Sequence, residues 1–297
     1  MEGGGRARGL ALPWRDRPRD EEPRAARATT SRGRRIARRL GTALLVLGFL
    51  FIAYGATVYF WRDPVTDIYA RWKQHQLAAQ LEESFQQFQI SVEAEDPKAL
   101  EPILPTTTGV DQALPSADAE AAAAAVARAE RLVARNARKL EATLVLGQPL
   151  GRIVIPRLGV DPVFVHGTRW GADLSRGPGH YPETSVPGLG KVTAIAGHRT
   201  TFGAWFRNID DLEAGDPIDV VLPYGTFHYR VIGHEIVDNG DWSIIEPKGF
   251  DELVLSACHP LYSASHRWIV YARLVRVDVG DGVSYAVPAP NGSAASS

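Results

Sequence analysis

The chain has 297 residues, with 33 Lys and Arg against 34 Asp and Glu, and a single cysteine. Near-neutral charge argues against a nucleic-acid binder as a whole, and one cysteine excludes an internal disulfide framework. The length allows one good-sized core with appendages.

The charge is unevenly spread. Residues 1–39 are rich in Arg, ending in Arg34, Arg35, Arg38 and Arg39, with Gly and Pro between them and little apolar content. That composition predicts a basic disordered tail. Residues 40–61 follow with no charge at all, long enough as a helix to cross a hydrocarbon core of roughly 30 Å. Tyr59, Phe60 and Trp61 crowd the far end, where an interface favours aromatic rings, and the arginines on the near side place the N-terminus in the cytoplasm. A cleaved signal peptide is the rival reading, since Ala53-Tyr54-Gly55 has a small-x-small pattern. The apolar run continues past that point, which favours an uncleaved anchor. The expectation is a single-pass membrane protein, held in the bilayer through residues 40–61, with the rest of the chain outside.

Residues 62–142 read as a helical and flexible stalk. Apolar residues recur at helical spacing over 65–90, a break containing Pro and Thr covers 97–115, and 117–140 is Ala-rich. No sustained heptad marks a coiled coil, and nothing in the stalk carries chemistry. Over 143–282 the texture is that of a β-protein: short apolar or alternating runs sit between Gly- and Pro-containing turns. About eight strands point to a closed barrel or a sandwich. The spacing of Trp205, Phe206, Ile209 and Leu212 predicts one short helix within 201–212. Residues 283–297 are expected to be disordered.

The chemistry concentrates in one stretch. The apolar run Leu253-Val254-Leu255 leads to the sole cysteine, Cys258, and nine residues later Arg267 opens a second run, Trp268-Ile269-Val270-Tyr271-Ala272. If the two runs pair as strands, thiol and guanidinium meet at one mouth of a sheet. His198 ends another apolar run upstream and is the candidate base. A thiol must lose its proton to become a nucleophile, and an imidazole can take it or stand as imidazolium beside a thiolate. Arg267 stays protonated, so its work would be to bind substrate and stabilise negative charge on a carbonyl oxygen. The bland alternative is a buried structural cysteine.

Four blocks in order carry a resemblance: Arg152-Ile153-Val154-Ile155-Pro156, the run Gly177-Pro178-Gly179-His180-Tyr181, the block Ala196-Gly197-His198-Arg199-Thr200, and Leu255-Ser256-Ala257-Cys258. Over about half the chain this resembles the sortases, the cysteine transpeptidases of the Gram-positive surface, and within them class E, the housekeeping type of high-GC bacteria. Ala257 departs from the Thr usual before the nucleophile.

The resemblance implies a closed eight-stranded β-barrel. It also implies cleavage of a C-terminal sorting signal between Thr and Gly, with Cys258, His198 and Arg267 as catalytic residues. Leu-Ala-x-Thr-Gly is the signal expected for class E, in place of Leu-Pro-x-Thr-Gly. The implied partners are surface proteins bearing that signal and a peptidoglycan precursor or cross-bridge amine. Candidate substrate contacts are Ala257, His259, Tyr262 and His180, the last read first as a structural residue in a turn. No cofactor or metal is expected, since acids such as Asp210, Asp211 and Asp216 do not by themselves make a calcium site.

Two alternatives stay open. One is another cell-wall cysteine enzyme, such as an L,D-transpeptidase, whose Arg follows Cys by two residues, where Pro260 stands in this chain. The other is a membrane-anchored scaffold without catalysis.

Overall fold

The computed structural model describes residues 26–60, 63–95, 116–280 and 283–289. The chain divides after Gly55 into two units. Helix α1 (Ala26–Phe60) contains an apolar stretch, Arg32–Phe60, with mean hydropathy 2.1 and none of its most apolar window buried. The segment expected to be a disordered tail is described only in part. Residues 1–25 lie outside the described part, and from Ala26 on the basic segment is already helical and runs directly into the apolar one.

Two more helices follow, α2 (Pro64–Glu95) and α3 (Ser116–Glu141). They are not a spacer held away from the barrel. Leu77 and Leu81 of α2 pack on Val163 and Val165, while Phe88 and Val92 join Ala129 and Val133 of α3 on the barrel core. The side-chain amide of Gln74 fixes the register: its nitrogen donates to the carbonyls of Val163 (2.8 Å) and Arg176 (3.0 Å), and its oxygen accepts from the Val163 amide (2.7 Å). The break expected at 97–115 lies outside the described residues.

Nine strands build the sheet: β1 (Pro149–Val154), β2 (Val163–His166), β3 (Gly179–His180), β4 (Val192–Gly197), β5 (Pro217–Leu222), β6 (Gly225–Asp238), β7 (Glu252–His259), β8 (His266–Val279) and β9 (Val283–Ala286). Their order is β6-β5-β1-β2-β3-β4-β7-β8-β9, and β6 also pairs with β8. That extra pairing closes an eight-stranded barrel and leaves β9 as a flap on β8. The tail expected to be disordered therefore contributes a strand, because Tyr285 has a buried site in the core to fill. Residues 290–297 lie outside the described part.

Alternation explains which side chains fill the interior. Ile195, Leu253, Leu255, Val270 and Ala272 turn inward among Phe227 and Tyr229. Their neighbours Val192, Ala194, Val254 and Ile269 turn outward, where Ile244 of the β6–β7 loop covers them. Burial on both faces is why β4 and β7 read as near-continuous apolar runs rather than alternating ones. The short helix expected within 201–212 is a series of turns ending in a 3-10 turn at Ile209–Asp211. Phe202, Gly203 and Ala204 take positive φ in succession (49°, 83° and 42°), a left-handed run that no α-helix accommodates.

Candidate active site

Two strand pairings bring the predicted residues to one rim. β4 and β7 run parallel, with Ala196 level with Ser256 and Gly197 level with Ala257. The next residue on each, His198 and Cys258, therefore emerges at the same end. β8 runs antiparallel to β7 and sets Arg267 directly opposite Cys258. Directly opposed residues have Cβ atoms roughly 4.5–5.5 Å apart and share a face of the sheet. That face is the outer one, carrying Val254 and Ile269. Cys258 and Arg267 are both half-buried.

The His198 ring leans on Phe202 with centroids 5.6 Å apart. Its Nε2 is buried with no hydrogen-bond partner among the described residues. Burial pushes the imidazole below its ordinary pKa, so at neutral pH the ring is uncharged. Of the two protonation schemes the sequence allows, this environment favours proton uptake by a neutral ring over a resting imidazolium. The described hydrogen bonds do not include one between thiol and imidazole, and the Arg267 Nη1 donates to the carbonyls of Ala264 (3.1 Å) and His266 (3.0 Å). Catalytic hydrogen bonds are often long before substrate binds.

Backbone constraints hold His198 in place. A Cβ on Gly197 would come within 2.4 Å of the Phe206 ring, and Phe206 in turn donates its amide to the His198 carbonyl (3.1 Å). Next to it, Arg199 is 3% exposed. Its Nε donates to the Arg207 carbonyl (2.9 Å), Nη2 to Asp210 (2.5 Å), and Nη1 lies 3.4 Å from Nδ1 of His259. One guanidinium thus ties the loop after His198 to the residue after Cys258. Sequence reasoning passed over Arg199; the signal was an Arg adjoining the candidate base, with an acid eleven residues on. Of the acids considered for calcium, Asp210 is engaged by Arg199 and Asp216 by Arg157 (3.4 Å).

The expected substrate contacts fare unevenly. Ala257 is 2% exposed and belongs to the barrel core, since strand alternation turns it to the face opposite Cys258. His180 is fully buried on β3. Its Nδ1 lies 3.1 Å from Nδ1 of His166, and its Nε2 lies 3.2 Å from both Thr184 Oγ1 and the Ser185 carbonyl. It is a structural residue and does not line a groove. His259 sits half-exposed at the rim, its ring 5.4 Å from Trp268. Tyr262 is stacked on Tyr59 at 5.4 Å and donates to the carbonyl of Val58 (2.9 Å). It is held by the last turn of α1.

Residues 153–275 match the family model described as the sortase domain. Those residues form a sortase domain. Over 133 residues the chain is 35% identical to sortase D of Bacillus subtilis (strain 168), covering 43% of this chain and 65% of that protein. Over 155 residues it is 30% identical to sortase SrtE1 of Streptomyces coelicolor, covering 47% of this chain and 44% of that protein. The matches thus span less than two thirds of these relatives' own lengths. Among solved structures, sortase E1 of Streptomyces coelicolor with a tripeptide in the active site aligns at 28% identity and a TM-score of 0.43, covering 45% of this chain and 91% of that one.

Proposed function

We propose that this sortase is a membrane-anchored cysteine transpeptidase, with α1 as the anchor, the N-terminus in the cytoplasm and the barrel outside the cell. Cys258 gives its proton to neutral His198 and attacks the Thr carbonyl carbon of a sorting signal. The tetrahedral intermediate collapses as the Thr–Gly C–N bond breaks, and His198 returns the proton to the departing amine. The acyl group is then a thioester on Cys258. An incoming cell-wall amine attacks it, gives a proton to His198, and the thiol is restored.

Arg267 supports the oxyanion. One such donor is worth about 2.7–4 kcal/mol of barrier, and Lys cannot reproduce the planar fork. The observation that carries this reading is the register at the rim, Cys258 opposite Arg267 and His198 one residue beyond Gly197, which is level with Ala257. The Leu-Ala-x-Thr-Gly signal follows from the class E resemblance of the blocks at Gly177–Tyr181, Ala196–Thr201 and Ala257–Pro260.

The test uses the full chain in phospholipid nanodiscs with Leu-Ala-x-Thr-Gly and Leu-Pro-x-Thr-Gly peptides in parallel and an amine acceptor. Transfer product with the first peptide in excess over the second is expected, lost in Cys258→Ala and strongly reduced in Arg267→Lys. Undiminished transfer in either variant removes that residue from its role.

A further inference from the structure

α2 begins close to where α1 ends, and its first two turns have an unusual face. Val65, Ile68, Tyr69 and Trp72 recur at helical spacing, and they are exposed by 63%, 71%, 39% and 54%. On the opposite side Ala70 and Leu77 are buried against the rest of the fold. The outward apolar stripe stops there; the next positions in line are His75, Gln76, Ala79 and Glu83. A stripe that faces solvent for two turns and then turns polar is not a core face.

The patch extends onto the loops of the catalytic rim. Phe202 stacks edge-on with Tyr69 (6.2 Å) and with Trp170 (6.5 Å), and its amide donates to Thr66 Oγ1 (3.0 Å). Trp170 is 71% exposed, and Leu261 and Tyr262 add 37% and 47% exposed surface from the loop after Cys258. Lys73 holds its ammonium 4.5 Å from the Trp72 ring, and Arg71 lies in the same turn. Exposed Trp and Tyr rings with basic residues beside them are the composition that seats in a lipid headgroup layer. Covalent continuity names the occupant: only residues 61–63 separate α2 from α1, and Tyr262 is hydrogen-bonded to the last turn of α1.

We propose that this aromatic face docks on the surface of an anionic phospholipid bilayer, so that the catalytic rim opens at the lipid–water boundary. The proposal rests on α1 being the membrane anchor. Phe202 makes the link to catalysis, because the same ring touches Tyr69 and Trp170 of the patch and His198 of the site. Substrates that are themselves held in the membrane would then meet the thiol without leaving the interface.

The test places single fluorescent labels on the full chain in phosphatidylcholine–phosphatidylglycerol liposomes, in a Cys258→Ala background. The labelled positions are Trp72→Cys, Trp170→Cys, Leu50→Cys in α1, and Ser284→Cys on β9 at the opposite pole of the barrel. The readouts are quenching by spin-labelled lipids with the probe near the headgroup or deep in the acyl chain, and by aqueous iodide. Labels at 72 and 170 should be quenched by the lipid probe at least threefold more than the label at 284, and shielded from iodide. If position 50 is quenched by acyl-chain probes while 72 and 170 behave like 284, the anchor stands and the docking surface is overturned. If position 50 is not quenched, the anchor reading fails and takes this proposal with it. Shielding from iodide at 72 and 170 without lipid quenching means that a protein covers the patch, which also overturns the proposal.

Discussion

Removing the fork of Arg199 while keeping its charge isolates its role as a positioning residue. Its three nitrogens reach three partners on separate segments: the Arg207 carbonyl, Asp210 and His259. An ammonium on a flexible stem can serve one or two of these, not three in one plane. Breaking a buried ion pair by truncation costs about 3–5 kcal/mol. Asp210 is 39% exposed on its side chain, so water can take over part of its solvation and about 2 kcal/mol is the reasonable expectation for Arg199→Ala. In a body of this size that is a fall of about 4–8 °C in unfolding temperature. Arg199→Lys should lose about half as much stability, yet lower kcat about tenfold, since small displacements of a catalytic group are costly. The assays are thermal unfolding followed by tryptophan fluorescence and transpeptidation by the full chain in nanodiscs. Arg199→Lys with kcat within twofold of the parent and an unchanged unfolding temperature would refute the reasoning.

Other perturbations test neighbouring parts of the account. Gly197→Ala puts a methyl within 2.4 Å of the Phe206 ring, so about 1–3 kcal/mol of overpacking is expected, with a loss of kcat that Gly233→Ala, where nothing lies within 4 Å, will not share. Gln74→Ala leaves the amide and carbonyl of Val163 without side-chain partners and should cost about 2 kcal/mol, seen as faster hydrogen exchange at α2 while β7 stays protected.

Acid stability follows two opposed groups. Burial, aided by the neighbouring His166, lowers His180 to about 4, so its contribution is complete above pH 6.5 and is lost as the pH falls from there to about 4, roughly 3 kcal/mol in all. Burial raises Glu252 to about 7, so its contribution is present below about 4.5 and is lost as the pH rises to about 7. The two offset each other between pH 4.5 and 6.5. Glu252→Gln should therefore expose a stability that climbs with pH across that window, measured by denaturant titration at successive pH values; a flat profile in the variant contradicts the assignment.

The rim was legible in the sequence because it is local. Cys258 and Arg267 are joined by a loop of a few residues, and two apolar runs connected so briefly pair antiparallel, which sets the opposition of thiol and guanidinium. His198 was legible through its motif, although its place beside Cys258 depends on a parallel pairing of residues sixty positions apart that no local pattern encodes. What escaped were features fixed by tertiary contact. The helices read as a stalk are docked on the barrel, because half-buried stripes such as Leu77 and Leu81 need β2 as a partner to be recognised as core. β9 was hidden in a short tail segment whose buried anchor is Tyr285, with Val283 and Val287 packed against the same core. Ala257 and Cys258 are adjacent in sequence, yet the strand sends them to opposite faces, and His180 lies in a conspicuous motif but is spent on His166, Thr184 and Ser185.

The account stands on the thiol of Cys258 becoming an acyl carrier with His198 as its base. The most direct measurement is intact-protein mass spectrometry of the full chain in nanodiscs, after incubation with a sorting-signal peptide and no amine acceptor. The expected result is a hydroxylamine-labile adduct carrying the peptide up to its Thr, localised to Cys258 by digestion and absent in His198→Ala. No adduct under conditions where the fold is intact, or an adduct formed equally well without His198, would contradict it.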